Sequence, residues 1–306
     1  MKYLKLVRYQ NLLMLALMQL LFRYGFIVNQ NIPLALNDLQ YCLLVLSTVM
    51  IAAAGYLINN VFDQETDRQN KPQDVIVGRS ISEGTAYNIY VALNVIGVGS
   101  GFYLSNVINK PAFAAVFVIV AGTLYLYASS FKRSLLVGNI IIALLLSISI
   151  IIIGIFDLYP VLTPETQPLL KLLFQIVLDY AVFAFMINLI REIVKDLEDV
   201  NGDYNEGMNT LPIVLGVSRT ARLVFFLTLI PVVLLLVYTY TDIFHLTFAA
   251  LYAIIFIVTP LVYFMVKIWS AKTQRHFNHL STILKLVMFL GILSIVVIQL
   301  NMNYNA

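Results

Sequence analysis

Charge is scarce in this chain. Asp, Glu, Lys and Arg make up 11% of its 306 residues, 60% are hydrophobic, and the mean hydropathy is +0.88. So little charge, spread between repeated apolar runs of about twenty residues, excludes an ordinary water-soluble domain and points to the bilayer. The ten-residue alternation of a membrane β-barrel is missing as well. A single cysteine, Cys42, excludes an internal disulfide and any cysteine-based metal cluster. It reads as a small apolar residue within a span. No stripe of basic and aromatic residues suits nucleic acid, so no nucleic-acid partner is expected. Low-complexity segments and long linkers are absent, and residues 1–306 read as one domain. What remains is a polytopic, all-α membrane protein.

The apolar runs predict nine spans, at about 10–28, 39–62, 85–107, 111–130, 135–157, 168–192, 220–240, 246–268 and 280–300. The opening MKYLKLVRYQNLLMLALMQLLFRYGF has the basic front and apolar middle of a signal peptide. No small-x-small cleavage site follows, so it reads as an uncleaved first span. Lysine and arginine sort onto alternate connections. With the N-terminus cytoplasmic and the C-terminus outside, 16 basic residues lie inside, only Lys110 and Lys171 lie outside, and Arg23 falls within a span. One span more or fewer would break that alternation.

The acids do not follow the same logic. Of 16 Asp and Glu residues, five lie between Asp63 and Glu83 and six between Glu192 and Glu206, in two short cytoplasmic connections that topology alone would make basic. If the second span continues as a helix past Phe62, Asn59, Asp63 and Asp67 stand at i, i+4 and i+8 on one face. Asp196, Asp199 and Asp203 stand at i, i+3 and i+7 beside Arg191 and Lys195. Like charges so arranged repel, and an acid at membrane depth costs about 2.5 to 3.5 kcal/mol on insertion scales. One reading is a set of solvated loop acids paired with Arg68, Lys71 and Lys195. The other is a cation site. Mg2+ is usually held by one or two carboxylates together with substrate phosphates. Two acidic helix ends facing each other can hold two such ions around a diphosphate, at the mouth of an apolar bundle. A diphosphate head with a long hydrocarbon tail is a prenyl diphosphate.

These stretches resemble the UbiA superfamily of intramembrane prenyltransferases. Its first motif, N-D-x-x-D-x-x-x-D, is matched by Asn59, Asn60, Asp63 and Asp67, with Asn60 in place of the usual Asp. Its second, K-D-x-x-D-x-x-G-D-x-x-x-G-x-x-T-L-P, is followed closely by KDLEDVNGDYNEGMNTLP from Lys195 to Pro212. YASSFKRSLLVGN adds Tyr127, Lys132, Gly138 and Asn139. The resemblance implies a bundle of nine helices around a central cavity in a bacterial or archaeal-type plasma membrane. It implies Mg2+ bridging the acidic motifs to the diphosphate. Asp63, Asp67, Asp199 and Asp203 then become catalytic metal ligands, with Lys195 catalytic as a diphosphate partner. Asn59, Lys132, Asn139, Arg79, Arg191 and Asp196 become substrate-binding. REIVKDLEDVNGD and NKPQDVIVGRSIS look most like the geranylgeranylglycerol-phosphate geranylgeranyltransferase branch. That branch often reads N-R-P-x-R-P-I-P-S-G, where this chain has Asp74 for the second Arg and Val75 and Val77 for the following prolines.

The expected reaction is Mg2+-dependent transfer of a prenyl group from a prenyl diphosphate to a lipophilic acceptor in the membrane. A geranylgeranylglycerol phosphate-type acceptor comes first and an aromatic quinone precursor second. The metal ions offset charge on the leaving diphosphate, and a dry cavity keeps water from the allylic cation. Tyr56, Tyr127 and Tyr180 can turn their rings to that cation, and Asp179, inside the sixth span, is a candidate for orienting the acceptor. Asp179 reads equally as a partner of Arg23. The rival from another class is an ion-coupled transporter, which usually brings acids and broken helices to the bilayer midplane rather than to helix ends. His276 and His279 read as residues of a solvated basic connection.

Overall fold

Local signals in the chain set where its helices begin and stop. The computed structural model describes residues 2–64, 68 and 75–305. Helix α1 (Lys2–Leu6) and helix α2 (Tyr9–Gly25) are separated by a reversal at Arg8, whose φ of 50° is left-handed. Helix α3 (Asp38–Phe62) opens on a capping box: Asn37 Oδ1 accepts from the Gln40 N–H at 2.9 Å, and Gln40 Oε1 accepts from the Asn37 N–H at 2.9 Å. Two groups that the helix start leaves unbonded are thereby satisfied. Ser82 caps helix α4 (Glu83–Val107) by accepting from the Thr85 N–H at 3.2 Å. Pro111 opens the turn that leads into α5 (Ala114–Ser129).

Seven helices follow. Helix α6 (Val137–Ile153) continues through a π turn, Gly154–Leu158. Helix α7 (Gln167–Asn205) is the longest, at 39 residues. Next come α8 (Leu211–Leu215) and α9 (Val217–Thr241), then α10 (Thr247–Tyr252) and α11 (Thr259–Ser270) with a π segment at Ala253–Val258 between them, and last α12 (Gln274–Asn305). Taking α10 and α11 as one rod gives nine long helices among the described residues, in the order expected for an all-α membrane bundle. Eight are long and apolar enough to cross a bilayer. The ninth, α4, is diluted by Asn88, Asn94, Ser100 and Asn106. The chain is an integral, multi-pass membrane protein. The sixth rod, expected at 168–192, runs to Asn205 because the acidic stretch continues the helix.

Packing divides the chain into two units. The first comprises Met1–Leu20, Ile32–Ile141 and Ile148–Leu178. Within it α4 lies close along α3 at Gly97. A Cβ there would fall 2.7 Å from Ile51 Cγ1 and 3.1 Å from the Ser47 carbonyl, and Ser47 Oγ donates to the Gly97 carbonyl at 2.6 Å. Small residues permit such approach where lipid supplies no hydrophobic drive between helices. Asp157, fully buried in the π turn, accepts from the Leu36 N–H at 3.1 Å and ties down the segment before α3.

The second unit comprises Leu21–Asn31, Ile142–Ser147 and Asp179–Ala306. Several of its polar groups find partners inside it, as membrane depth favours. The Tyr180 hydroxyl meets Ser294 Oγ at 2.6 Å, Tyr252 donates to the Leu290 carbonyl at 2.9 Å, and Asn301 Oδ1 accepts from the N–H groups of Phe248 and Ala249 at 2.8 and 3.1 Å.

Candidate functional site

In the first unit α3 carries Asn59 and ends beside Asp63. Phe62 is its last residue, and Asp63 is the C-cap, with φ −90° and ψ 6° and its N–H still bonded to the Asn59 carbonyl at 2.9 Å. Beyond that turn Gln64 and Arg68 are again helical. Asp67 lies outside the described residues, as do Lys71 and Asp74.

Asp63 is buried, with 6% of its surface exposed. Its Oδ2 accepts from Asn59 Nδ2 at 2.5 Å and, in a short contact, from Lys132 Nζ. Asn59 turns its other polar atom, Oδ1, into the interior, where it is bonded to no described group. Lys132 comes from the turn Phe131–Arg133 between α5 and α6. Gly138 explains how that turn is held. A Cβ at 138 would sit 2.9 Å from the Phe131 carbonyl oxygen, 3.2 Å from Lys132 Cα and 3.3 Å from the Tyr127 ring. The glycine thus lets the start of α6 press against the backbone that presents Lys132. Asn139, next along, is buried.

The second set lies on α7 alone. Its helical spacing stands as expected: Asp196, Asp199 and Asp203 fall on one continuous helix, with Asp203 buried. Glu192 organises the cations, since its Oε1 accepts from Lys195 Nζ at 2.7 Å and from Arg191 Nη1 at 3.3 Å. Arg191 Nε is buried and donates to no described group. Glu198, also buried, accepts from Asn278 Nδ2 at 2.9 Å. Glu192 and Glu198 were not among the expected site residues. The i, i+3 spacing of Glu192 and Lys195 was the available signal for the first; nothing local marks the second.

Other candidates are placed less centrally. Arg79 is exposed on the turn before Ile81, and Asp179 is half-buried in α7. The Tyr56 hydroxyl accepts from Asn11 Nδ2 at 3.2 Å, with Arg8 over its ring at 5.4 Å. Tyr180 carries Phe22 edge-on at 5.0 Å. His276 and His279, expected in a connection, are in the first turns of α12, still exposed, and the Tyr263 hydroxyl lies 3.1 Å from His279 Nε2.

Among the described residues no three His, Cys, Asp or Glu side chains gather as a ready-made metal cage. The donor set is instead made of hard oxygens, the Asp63 carboxylate and the buried Asn59 Oδ1, with lysine at hand. That chemistry fits a cation such as Mg2+, which keeps waters and shares phosphate oxygens rather than sitting in an all-protein cage.

Apolar rods that carry buried carboxylates paired with lysine, Asp63 with Lys132 and Glu192 with Lys195, define an intramembrane enzyme for a substrate with an anionic head and a greasy body. The sequence matches the UbiA prenyltransferase family over residues 16–296, and the chain belongs to that family. It is 31% identical over 292 residues to the digeranylgeranylglyceryl phosphate synthase of Saccharolobus solfataricus, covering 95% of this chain and 94% of that one. A solved structure described as giving structural and mechanistic insights into the biosynthesis of digeranylgeranylglyceryl phosphate synthase in membranes superposes with a TM-score of 0.66 at 25% identity, over 97% of this chain and 96% of its own. A UbiA homologue from Archaeoglobus fulgidus, solved with DMAPP and Mg2+, superposes at 0.61 and 16% identity, covering 96% of this chain and 99% of that one. The protein is a prenyltransferase, which sets aside the transporter alternative.

Proposed function

We propose that this protein transfers a prenyl group from a prenyl diphosphate to a geranylgeranylglycerol phosphate-type acceptor, as a step of ether-lipid synthesis, with residues 1–306 acting as one catalytic domain. The observation that carries the reading is the buried Asp63 carboxylate, which shares its Oδ2 between Asn59 and Lys132 at the end of an apolar rod. Support for the acceptor comes from the relative in Saccharolobus solfataricus, whose name is that of such a synthase. The homologue solved with DMAPP and Mg2+ supports the cofactor and the diphosphate class. The distribution of lysine and arginine supports a cytoplasmic N-terminus and an outer C-terminus.

In this reading Asp63 with Asp67, and Asp199 with Asp203, are the ligands that take up Mg2+. When bound, Mg2+ neutralises the diphosphate and stabilises it as it leaves. Asn59 holds Asp63 in place and offers Oδ1 as a further hard donor. Lys132 and Lys195 exchange their carboxylate partners for phosphate oxygens, acting as point charges. Arg191, with its buried Nε, is placed to do the same with a directed N–H. Asn139, Arg79 and Asp196 bind or orient substrate. The apolar walls keep water from the allylic centre, so that the acceptor hydroxyl captures it.

The test is to incubate purified protein and Mg2+ with labelled geranylgeranyl diphosphate and either the prenylglycerol phosphate or an aromatic quinone precursor, and to identify the products by mass. A prenylated glycerol phosphate supports the proposal. Prenylation of the aromatic acceptor alone moves the protein to the quinone branch, and free prenyl alcohol alone removes both acceptors.

A further inference from the structure

Position 60 departs from the family's first motif, with Asn where the motif has Asp, and position 77 departs from the related prolines, with Val. In the structure both departures meet the same short element. Asn60 Nδ2 donates to the Leu6 carbonyl at 3.1 Å and to the Tyr56 carbonyl at 2.7 Å. Leu6 belongs to α1, whose other end is fastened where Lys2 Nζ donates to the Ser80 carbonyl at 3.1 Å. The Leu6 side chain is buried in a cluster with Leu57, Ile58, Val61, Val77 and Ile81. Both amide hydrogens of Asn60 are therefore used on carbonyl oxygens. An ionised Asp has no hydrogen to give and would set a charge against those two oxygens.

Arg8 sharpens the point. Its left-handed φ of 50° turns the chain back so that α1 lies against the end of α3, a conformation that a residue with a side chain keeps only where the surroundings impose it. Arg8 over the Tyr56 ring, Asn11 on the Tyr56 hydroxyl, Leu6 in its cluster and Asn60 on the Leu6 carbonyl impose it here. Tyr56, Leu57, Ile58, Asn60 and Val61 among these partners lie on the last two turns of α3, which also carry Asn59 and lead to Asp63.

We propose that α1 is a docked strap latched by Asn60, and that Asn60 is a positioning residue: by holding the strap it fixes the final turn of α3 in the register that presents Asn59 and Asp63. The coupling to catalysis rests on the role given to Asp63 under Proposed function. Docking of the strap does not depend on that role.

The experiment uses the full-length protein in nanodiscs with Asn60→Leu, Asn60→Asp, Asn60→Gln, Leu6→Ala and the double variant Asn60→Leu/Leu6→Ala. Trypsin cleavage after Lys5 and Arg8, followed by mass, reads docking. Half-activation by Mg2+, KM for geranylgeranyl diphosphate and kcat read the end of α3, and thermal melting controls for folding. Asn60→Leu, Asn60→Asp and Leu6→Ala should each speed cleavage about tenfold, the equivalent of losing one hydrogen bond or its apolar counterpart. They should raise the Mg2+ and diphosphate constants about three- to tenfold while kcat stays within about twofold, since a loosened ligand weakens capture before it weakens chemistry. Asn60→Gln, which keeps both amide hydrogens, should stay near wild type, and the double variant should speed cleavage further than either single one, because Asn60 holds the Leu6 carbonyl while Leu6→Ala removes side-chain packing of the same strap. Unchanged cleavage in Asn60→Leu and Asn60→Asp overturns the latch. Faster cleavage with every kinetic constant unchanged overturns the coupling. Full transfer by Asp63→Ala overturns the role of Asp63 and with it the coupling, while the cleavage rates still decide whether Asn60 holds the strap.

Discussion

The two carboxylate sets are built in opposite ways. The first joins two stretches far apart in the chain: Asn59 and Asp63 at the end of α3, and, 69 residues after Asp63, Lys132 on a turn that fits because Gly138 just beyond it lacks a side chain. The second is carried by a single helix, α7, in which Arg191, Glu192 and Lys195 are neighbours by helical spacing and Asp196, Asp199 and Asp203 follow on. The difference lies in redundancy. Asp63 has one lysine in described contact and is nearly sealed from solvent, whereas Glu192 shares itself between two cations. Both carboxylates are buried, and removing the partner of a singly paired charge leaves the other uncompensated, which costs more than removing one of two cations that share a carboxylate.

Substitutions can break or sharpen this comparison. The largest effect is expected for Asp63→Ala, which removes a metal ligand and strands Lys132. Its kcat/KM for Mg2+-dependent transfer should fall about a thousandfold or more. Asp199→Ala should fall on the same scale if both sets take up metal, and a mild loss there with a severe one at Asp63 would assign the chemistry to the first set. Lys132→Gln should lower kcat/KM about a hundredfold, because Asp63 loses its counter-charge and the diphosphate loses a point charge. Lys195→Gln should cost only about tenfold, since Arg191 remains on Glu192. Equal losses at the two lysines would break the argument from redundancy.

Gly138→Ala tests the scaffold beneath the first set. The added methyl meets backbone at 2.9 and 3.2 Å, so it should lower stability by about 1–3 kcal/mol, seen as a lower Tm in detergent. It should also move Lys132 and weaken diphosphate binding. The smallest effect is expected for Glu198→Gln, which keeps an acceptor for Asn278 and should change kcat/KM by less than about threefold.

Much of this was legible in the sequence, and the reason is periodicity. Membrane thickness fixes the length of an apolar run, and nine such runs foretold the nine long helices among the described residues, eight of which are apolar enough to span. The helical repeat of 3.6 residues placed Asp196, Asp199 and Asp203 on one face before any coordinates. The same reading missed the turn at Asp63 that closes α3, beyond which Gln64 and Arg68 are helical again. It also overlooked Glu192, although its spacing from Lys195 was visible, and it ended the sixth rod about a dozen residues early.

The chain by itself therefore determined what can be read along one rod: which stretches lie in the membrane, which residues share a helix face, and that carboxylates and lysines gather at helix ends. Tertiary structure alone decided which lysine meets Asp63, why Gly138 must lack a side chain, and that Asn60 spends its amide on the strap formed by α1. The physical reason is range. Helix formation and membrane insertion act over neighbouring residues, whereas a buried charge or an unbonded carbonyl is satisfied by whatever group folding brings within about 3 Å, however far away it lies in sequence.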